Sequence, residues 1–329
     1  MNIEEFVNAT QDMYAQDAIY KAERQIARHS KIACSISGGA DSDIMLDLIH
    51  KIDTEKKTEY VFMNTGLEYE ATKRHLKYLE DKYKIKITRL SATKPIPLAC
   101  KEYGVPFLSK RVSEMISRLQ KHNFKWEDEP FEILIEKYPK CKVALKWWCN
   151  CYGGKENRKA SSFDINYNKY LKEFMIENPP AFAISPKCCT WAKKHALVNY
   201  ISEKNGFDMS CIGVRKAEGG ARSTIYKNCY SEGIGKIDQY RPLFWFDDNS
   251  KRIYEAAHDI KHSDCYEVWG MKRTGCAGCP FGRDFEKELD LIQKHEPKLF
   301  KAVNNIFGDS YEYTRKYREY QKMMKEKRV

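Results

Sequence analysis

The sequence predicts an α/β fold: a parallel twisted sheet flanked by helices, with an irregular insertion and a helical C-terminal tail. Three observations predict it. Short apolar runs alternate with helical segments along the first part of the chain, a β-α-β-α-β order that demands parallel pairing and right-handed crossovers. A glycine-rich loop joins the first apolar run directly to a helix. The 329 residues are 42% hydrophobic and 31% charged, the balance of a water-soluble chain with material for a sizeable core.

The elements follow in order. Residues 2–28 are charged, with Phe6, Met13, Ile19 and Ile26 as the apolar positions of a helical pattern. Residues 31–36 read as a short buried strand, followed by the loop Ser37-Gly38-Gly39-Ala40-Asp41-Ser42. A helix starts at once, with Ile44, Met45, Leu48 and Ile49 on one face. Residues 58–63 form a second strand ending at Asn64-Thr65-Gly66, residues 70–83 a helix and residues 85–90 a third strand. Ligands on such sheets bind beyond the carboxyl ends of the strands, where both the Ser37 loop and the Asn64 turn fall.

Residues 95–186 carry Pro95, Pro97, Pro106, Pro130, Pro139, Pro179 and Pro180, and the run Trp147-Trp148-Cys149-Asn150-Cys151. This stretch reads as an irregular insertion packing beside the sheet. The α/β pattern resumes with a helix after Cys189 and a strand at residues 208–214. Beyond Glu286 the chain is helical and charged, and Tyr313, Tyr317 and Tyr320 fall at helical spacing, a packing stripe before a base-stacking platform. The expected division is a nucleotide-binding domain over residues 1–282, with the insertion at about 95–186, and a helical extension over 283–329.

The net charge is +11. Such a balance favours polyanionic partners, nucleotides or nucleic acid, although the basic residues are interleaved with acids as on any solvated surface. The opening Met1-Asn2-Ile3-Glu4-Glu5 has neither the basic nor the apolar region of a secretory signal. No stretch approaches the roughly 18 apolar residues of a membrane span. A cytoplasmic location is therefore expected, with no membrane partner. Twelve cysteines in that compartment are expected to be reduced, which points to metal, cluster or redox chemistry rather than disulfides.

A strand, a Ser-Gly-Gly-Ala-Asp-Ser loop and a helix make a phosphate cradle. Gly38 and Gly39 let the backbone approach an anion, and the new helix offers unpaired N–H groups and a positive dipole end. Ser35, Ser37 and Ser42 add hydroxyl donors. Asp41 and Asp43 are candidates to hold Mg²⁺, which prefers carboxylate and phosphate oxygens. The loop lacks the Lys-Ser/Thr ending of the Walker loop, so it is not an ordinary P-loop. The bland alternative is a tight glycine turn whose Asp or Ser caps the helix.

With these residues in view, the loop Ser37–Ser42 resembles the pyrophosphate loop of the ATP pyrophosphatase (PP-loop) superfamily, which includes the phosphoadenosine phosphosulfate (PAPS) reductases. Asn64-Thr65-Gly66-Leu67-Glu68 followed by Thr72 is similar to the second-strand motif of the reductase branch. Gly213-Val214-Arg215 through Arg222 resembles its Gly-x-Arg-Arg segment, and Tyr240-Arg241-Pro242-Leu243 its Arg-x-Pro-Leu segment. The motifs run from about residue 31 to 282. The resemblance implies an adenine nucleotide α-hydrolase-like fold and an adenine nucleotide, ATP or PAPS, at the loop. It places Asn64, Thr65 and Gly66 near adenine or ribose, and Arg215, Arg222 and Arg241 at the substrate's anionic end.

Cys188-Cys189 and Cys276-Ala277-Gly278-Cys279 are the second signal. Four thiolates suit an iron–sulfur cluster or a structural zinc, and inert buried thiols are the remaining reading. The same layout resembles the cluster-bearing adenosine phosphosulfate (APS) reductases, which implies a 4Fe-4S cluster on those four residues. Lys187, Lys193, Lys194, Lys272 and Arg273 surround them in sequence and would offset cluster charge or contact substrate. The family's reductases carry a catalytic cysteine near the C-terminus, whereas this chain has none after Cys279. Cys149 and Cys151, with Cys141, stand near Lys142 and Lys146, which would lower a thiol's pKa. One of them is a candidate nucleophile or persulfide carrier, the alternative being buried apolar packing or a secondary metal site. Cys34, Cys100, Cys211, Cys229 and Cys265 read as structural.

Three functions remain open at this point. One is an ATP pyrophosphatase that adenylates an acceptor and transfers sulfur, with a nucleic acid or small molecule as acceptor and a cysteine desulfurase as sulfur donor. The second is a PAPS or APS reductase that makes sulfite with thioredoxin. The third is a nucleotide- and cluster-binding module without turnover. In the first two, Asp41, Arg215 and Arg222 are the candidate catalytic residues, joined by Cys149 and Cys151.

Overall fold

The structure is a computed structural model and describes residues 2–153, 161–219, 225–233 and 237–327. The chain divides into two compact units, residues 1–93 with 192–277 and residues 94–191 with 278–329.

The first unit holds the sheet. α1 (Ile3–Ala9) begins at Asn2, whose side chain and that of Glu5 form a reciprocal capping box. α2 (Met13–Arg28) is capped by Asp12 and buries Ala15, Ala18, Ile19, Ala22 and Ile26, one stripe at helical spacing. β1 (Ile32–Ile36) leads into α3 (Ala40–Ile52), β2 (Thr58–Asn64), α4 (Glu70–Tyr83) and β3 (Ile87–Ser91). β4 (Met209–Ile212), β5 (Tyr230–Ser231) and β6 (Asp238–Tyr240) complete a six-stranded sheet in the order β3-β2-β1-β4-β6-β5. Every pairing is parallel except that of β5 with β6. The α/β fold expected from the sequence is the one found, with the third strand two residues later at its start than its apolar pattern suggested.

β1 is the pivot. It pairs with β2 through Ile32↔Thr58 to Ile36↔Phe62, and on its other edge with β4 from Ile32↔Met209. Ile32, Ala33, Cys34 and Ile36 are buried, as a parallel strand covered on both faces requires. The chain leaves β1 toward β2 and β3, then returns to the opposite side at β4. That reversal is where open α/β sheets bind ligands.

The second unit is helical: its C-terminal part as expected, its residues 95–186 where an irregular insertion was expected. Ile96–Tyr103, Lys110–Lys121, Phe131–Lys137, Lys142–Trp148 and Leu171–Glu177 are α-helices, as are Phe285–His295 and Pro297–Glu326. The prolines misled because several stand at helix starts: Pro95 and Pro130 are N-caps, and Pro97 and Pro297 occupy the first turn. There the missing N–H costs nothing. The Trp147 and Trp148 indoles are fully buried, and Tyr313, Tyr317 and Tyr320 pack against Phe174 in the same core. The tyrosine stripe is therefore core. Among the described residues, no helix is long and apolar enough to cross a membrane. The twelve cysteines are all free thiols.

Candidate functional site

The loop at the carboxyl end of β1 is shaped by Gly38 and Ser42. Gly38 sits at φ +68°, and a Cβ there would lie 2.7 Å from Thr72 Cγ2, so only glycine fits. The Ser42 hydroxyl donates to Gly39 O (2.7 Å) and accepts from the amides of Ser37 (3.3 Å) and Gly39 (3.2 Å). It thereby pins the turn, a structural task rather than that of a free donor. Tyr266 was not signalled by the sequence. Its hydroxyl, beside the loop, accepts from the Thr274 amide at 3.1 Å and is bonded to Thr274 Oγ1 at 2.9 Å.

Asp41 lies between two cations. Arg215 Nε donates to Asp41 Oδ2 at 3.1 Å, and Lys251 Nζ donates to Asp41 Oδ1 at 2.9 Å. Burial raises the Asp41 carboxyl, but Lys251 and then Arg215 outweigh it and hold it below the usual carboxylate range. Arg215 follows β4 and is brought in by Gly213, whose Cβ position is 3.1 Å from the Asp41 carbonyl oxygen. Its other arm donates to Asp248 at 2.9 Å. Burial would lower the Arg215 pKa, yet the two carboxylates raise it. Lys251 comes from the helix Asp248–Ala257, which is capped by Asp247.

Asp43 takes a different part from the one expected. Its side chain is fully buried beneath α3, with Oδ2 accepting from His75 Nε2 (2.9 Å) and His262 Nδ1 (2.9 Å). Facing two histidines inside the core, Asp43 is not placed to hold Mg²⁺ from the loop. His262 reaches Glu255 with its second nitrogen at 2.8 Å. A neutral imidazole has one N–H, so two carboxylate partners call for the imidazolium. Burial opposes that charge, but Asp43 and Glu255 prevail and lift the His262 pKa to about 9. Glu255 also stands 3.7 Å from Lys251. Alternating charges thus run from Asp43 through His262, Glu255 and Lys251 to Asp41 and Arg215, with His75 a further partner of Asp43. Neither His262 nor Lys251 carries a sequence motif. The i,i+4 spacing of Lys251 and Glu255, just past Tyr240-Arg241-Pro242-Leu243, was the one available hint.

The other expected residues divide. Ser35 Oγ on β1 is buried without a hydrogen-bond partner among the described residues. Asn64, Thr65 and Gly66 follow β2, one strand along from the loop. Asn64 Oδ1 accepts from the Gly66 amide (3.0 Å), and Glu68 takes both the amide and hydroxyl of Thr65. This motif is a self-bonded turn with Gly66 at φ +82°. Arg241 is wholly buried and donates to Asn228 O (3.1 Å), Gln239 Oε1 (3.3 Å) and Ser231 Oγ. It braces the β5–β6 region instead of presenting a free guanidinium, and burial lowers its pKa. Arg222 lies outside the described residues.

Among the cysteines, Cys188, Cys189 and Cys279 belong to the second unit and Cys276 to the first. The Cys188 thiol is raised first by its hydrogen bond to Cys100 and then by burial, while its bond to Cys189 pulls the other way; Cys279 also lies close enough to act on it. Cys100, read from sequence as merely structural, is thus a neighbour of the pair. Soft sulfur donors suit an iron–sulfur cluster. As the side chains stand, however, no group of three or more His, Cys, Asp or Glu among the described residues is arranged to hold a metal ion. The expectation for Cys149 and Cys151 is corrected: burial raises both thiols, Cys149 to about 11, and their lysines do not reverse it. Cys149 Sγ donates to Glu129 O at 3.8 Å and Cys151 Sγ to Cys149 O at 3.8 Å.

Residues 31–144 match the family model of the phosphoadenosine phosphosulfate reductase domain. That is the family its motifs resemble. The reductase-domain match takes in the loop, α3, the Asn64 turn and α4, and ends before Arg215 and the paired cysteines. An uncharacterized protein of Methanocaldococcus jannaschii is 25% identical over 302 residues, 91% of this chain. The chain spans 46% of the length of that curated relative. Three solved structures are similar at low identity. A PAPS reductase from Candida auris in a phosphate complex has a TM-score of 0.41 at 13% identity, covering 83% of this chain and 93% of that one. A U34-tRNA thiolase from Methanococcus maripaludis with its 4Fe-4S cluster scores 0.37 at 13% identity, covering 92% and 80%. An NH3-dependent NAD synthetase from Campylobacter jejuni scores 0.34 at 9%, covering 95% and 96%.

Proposed function

We propose that this chain binds ATP, or a closely related adenine nucleotide, on the loop Ser37–Ser42 and releases pyrophosphate as it adenylates an acceptor for sulfur transfer. The observation that carries this reading is Asp41, set in the first turn of α3 between Arg215 at 3.1 Å and Lys251 at 2.9 Å. A carboxylate for Mg²⁺, a guanidinium for phosphate oxygens and open helix amides are the parts a phosphoryl-transfer site needs. Mg²⁺, held by Asp41 with the nucleotide, would supply neutralising charge on the phosphates.

In this reading the loop amides and Gly38 seat the β- and γ-phosphates. An acceptor oxygen attacks the α-phosphorus, the bond to the bridging oxygen breaks, and pyrophosphate leaves with the electron pair. Arg215, anchored by Asp248, lies where that leaving charge grows, with Arg222 assigned to the same end. Asn64, Thr65 and Gly66 border the adenosine. A sulfur nucleophile, delivered by a donor such as a cysteine desulfurase, then displaces AMP from the acceptor. The net charge of +11 favours a nucleic-acid acceptor. Cys188, Cys189, Cys276 and Cys279 would hold a 4Fe-4S cluster, which would supply iron able to bind sulfur.

The reductase-domain match favours one other reading, PAPS or APS reduction to sulfite with thioredoxin. The experiment that separates them is performed without oxygen. Pyrophosphate release from Mg-ATP is measured beside sulfite release from PAPS with thioredoxin. Pyrophosphate supports adenylation; sulfite without ATP turnover overturns it. Arg215→Ala is expected to cut turnover at least a hundredfold with a small change in thermal stability. Parallel losses of activity and stability would refute the role given to Arg215.

A further inference from the structure

We propose that Lys251 is the phosphate lysine of this loop, supplied from a helix distant in sequence. The inference rests on the nucleotide reading above and adds a residue to it. The loop Ser37–Ser42 contains no lysine, and α3 starts Ala40-Asp41-Ser42-Asp43. An ammonium nevertheless stands at the loop: Lys251 Nζ is 2.9 Å from Asp41 Oδ1.

The two cations on Asp41 are not equivalent. Arg215 has a second carboxylate within hydrogen-bond distance, Asp248 at 2.9 Å. Among the described residues Lys251 has only Glu255 besides Asp41, at 3.7 Å, and His262 already holds that carboxylate at 2.8 Å. When Asp41 turns to a metal-bound nucleotide, Arg215 stays tethered and Lys251 is released. A four-carbon stem with a compact charge suits such a swing. Lys251 thus holds Asp41 in the empty loop and passes to a terminal phosphate oxygen in the filled one. The ligand class is a di- or triphosphate, with the contact falling on the pyrophosphate portion.

The test is calorimetric titration with inorganic pyrophosphate and Mg²⁺, Mg-ATP, and adenosine as the phosphate-free probe. Lys251→Met is expected to weaken pyrophosphate and ATP by about tenfold to a hundredfold, the size of one charge-assisted bond, and to leave adenosine unchanged. Lys251→Arg restores most of the affinity. If wild type binds Mg-ATP and Lys251→Met binds it equally, the Lys251 assignment falls and the nucleotide reading stands. If wild type binds none of these nor PAPS, both fall. A footprint on the unmutated protein covers the case in which Lys251→Met does not fold. Pyrophosphate is expected to shield Lys251, and not the exposed Lys77, from acetic anhydride. Equal labelling of Lys251 with and without pyrophosphate overturns the proposal.

Discussion

The buried imidazolium at His262 makes stability depend on pH in a calculable way. It is enclosed by Asp43 on α3, Glu255 and Lys251 on the helix Asp248–Ala257, and the ring of Tyr266. His75 shares Asp43 from α4. A histidine whose pKa rises from 6.5 to about 9 on folding contributes stability that is fully present below 6.5 and is lost as pH climbs through 9. At about 1.4 kcal/mol per tenfold change in proton affinity, the whole gap corresponds to about 3 kcal/mol, of which about 2 kcal/mol disappears between pH 7 and pH 9. The perturbation is His262→Gln, which keeps a donor for one carboxylate and cannot titrate. Urea unfolding of both proteins at pH 7, 8 and 9 supplies the comparison. Wild type should lose about 2 kcal/mol more than the variant across that range. Parallel pH profiles would show that His262 is not charged in the fold, and the alternating network would have to be redrawn with a neutral ring.

Other changes have definite expectations. Gly38→Ala places a Cβ 2.7 Å from Thr72 Cγ2 at a φ of +68°, so it should cost about 1–3 kcal/mol in thermal unfolding and weaken ATP binding more than stability alone explains. Tyr317→Phe removes a buried hydroxyl that donates to Lys169 O at 2.8 Å and accepts from Gln321 at 2.7 Å. About 1 kcal/mol should be lost in unfolding, with nucleotide affinity unmoved; a change in nucleic-acid affinity would contradict the packing role of the stripe. Cys189→Ser should reduce the iron and sulfide bound per chain after anaerobic reconstitution, and iron content equal to wild type would remove Cys189 from the ligand set.

The sheet and its loop were legible because they rest on local rules. Buried parallel strands read as unbroken apolar runs, and α4 shows its apolar face through Leu76, Leu79 and Tyr83. The loop declared itself through Gly38 and Gly39 between a strand and a helix. The helices of residues 95–186 were hidden by prolines that occupy first turns instead of interiors. Arg241 and Asp43 show another limit. A charged residue inside a motif looks like a ligand contact in sequence, whereas the structure gives each a buried partner set: carbonyl, amide and hydroxyl for Arg241, two imidazoles for Asp43. Lys251 and His262 approach α3 from more than two hundred positions away, and no local pattern encodes such a meeting.

The pairing of β1 with β4 has a consequence for biosynthesis. β1 is completed on its first edge when β2 arrives, but its second edge waits for Met209. At ordinary rates of synthesis the interval from Asn64 to Met209 lasts roughly ten to thirty seconds. Throughout it, the nascent chain presents the open flank of its most apolar strand, Ile32–Ile36, as a template for any extended polypeptide nearby. The helices between residues 94 and 191 emerge during that wait. Yields from overexpression should therefore respond more to chaperone supply and growth temperature than the stability of the finished fold would suggest.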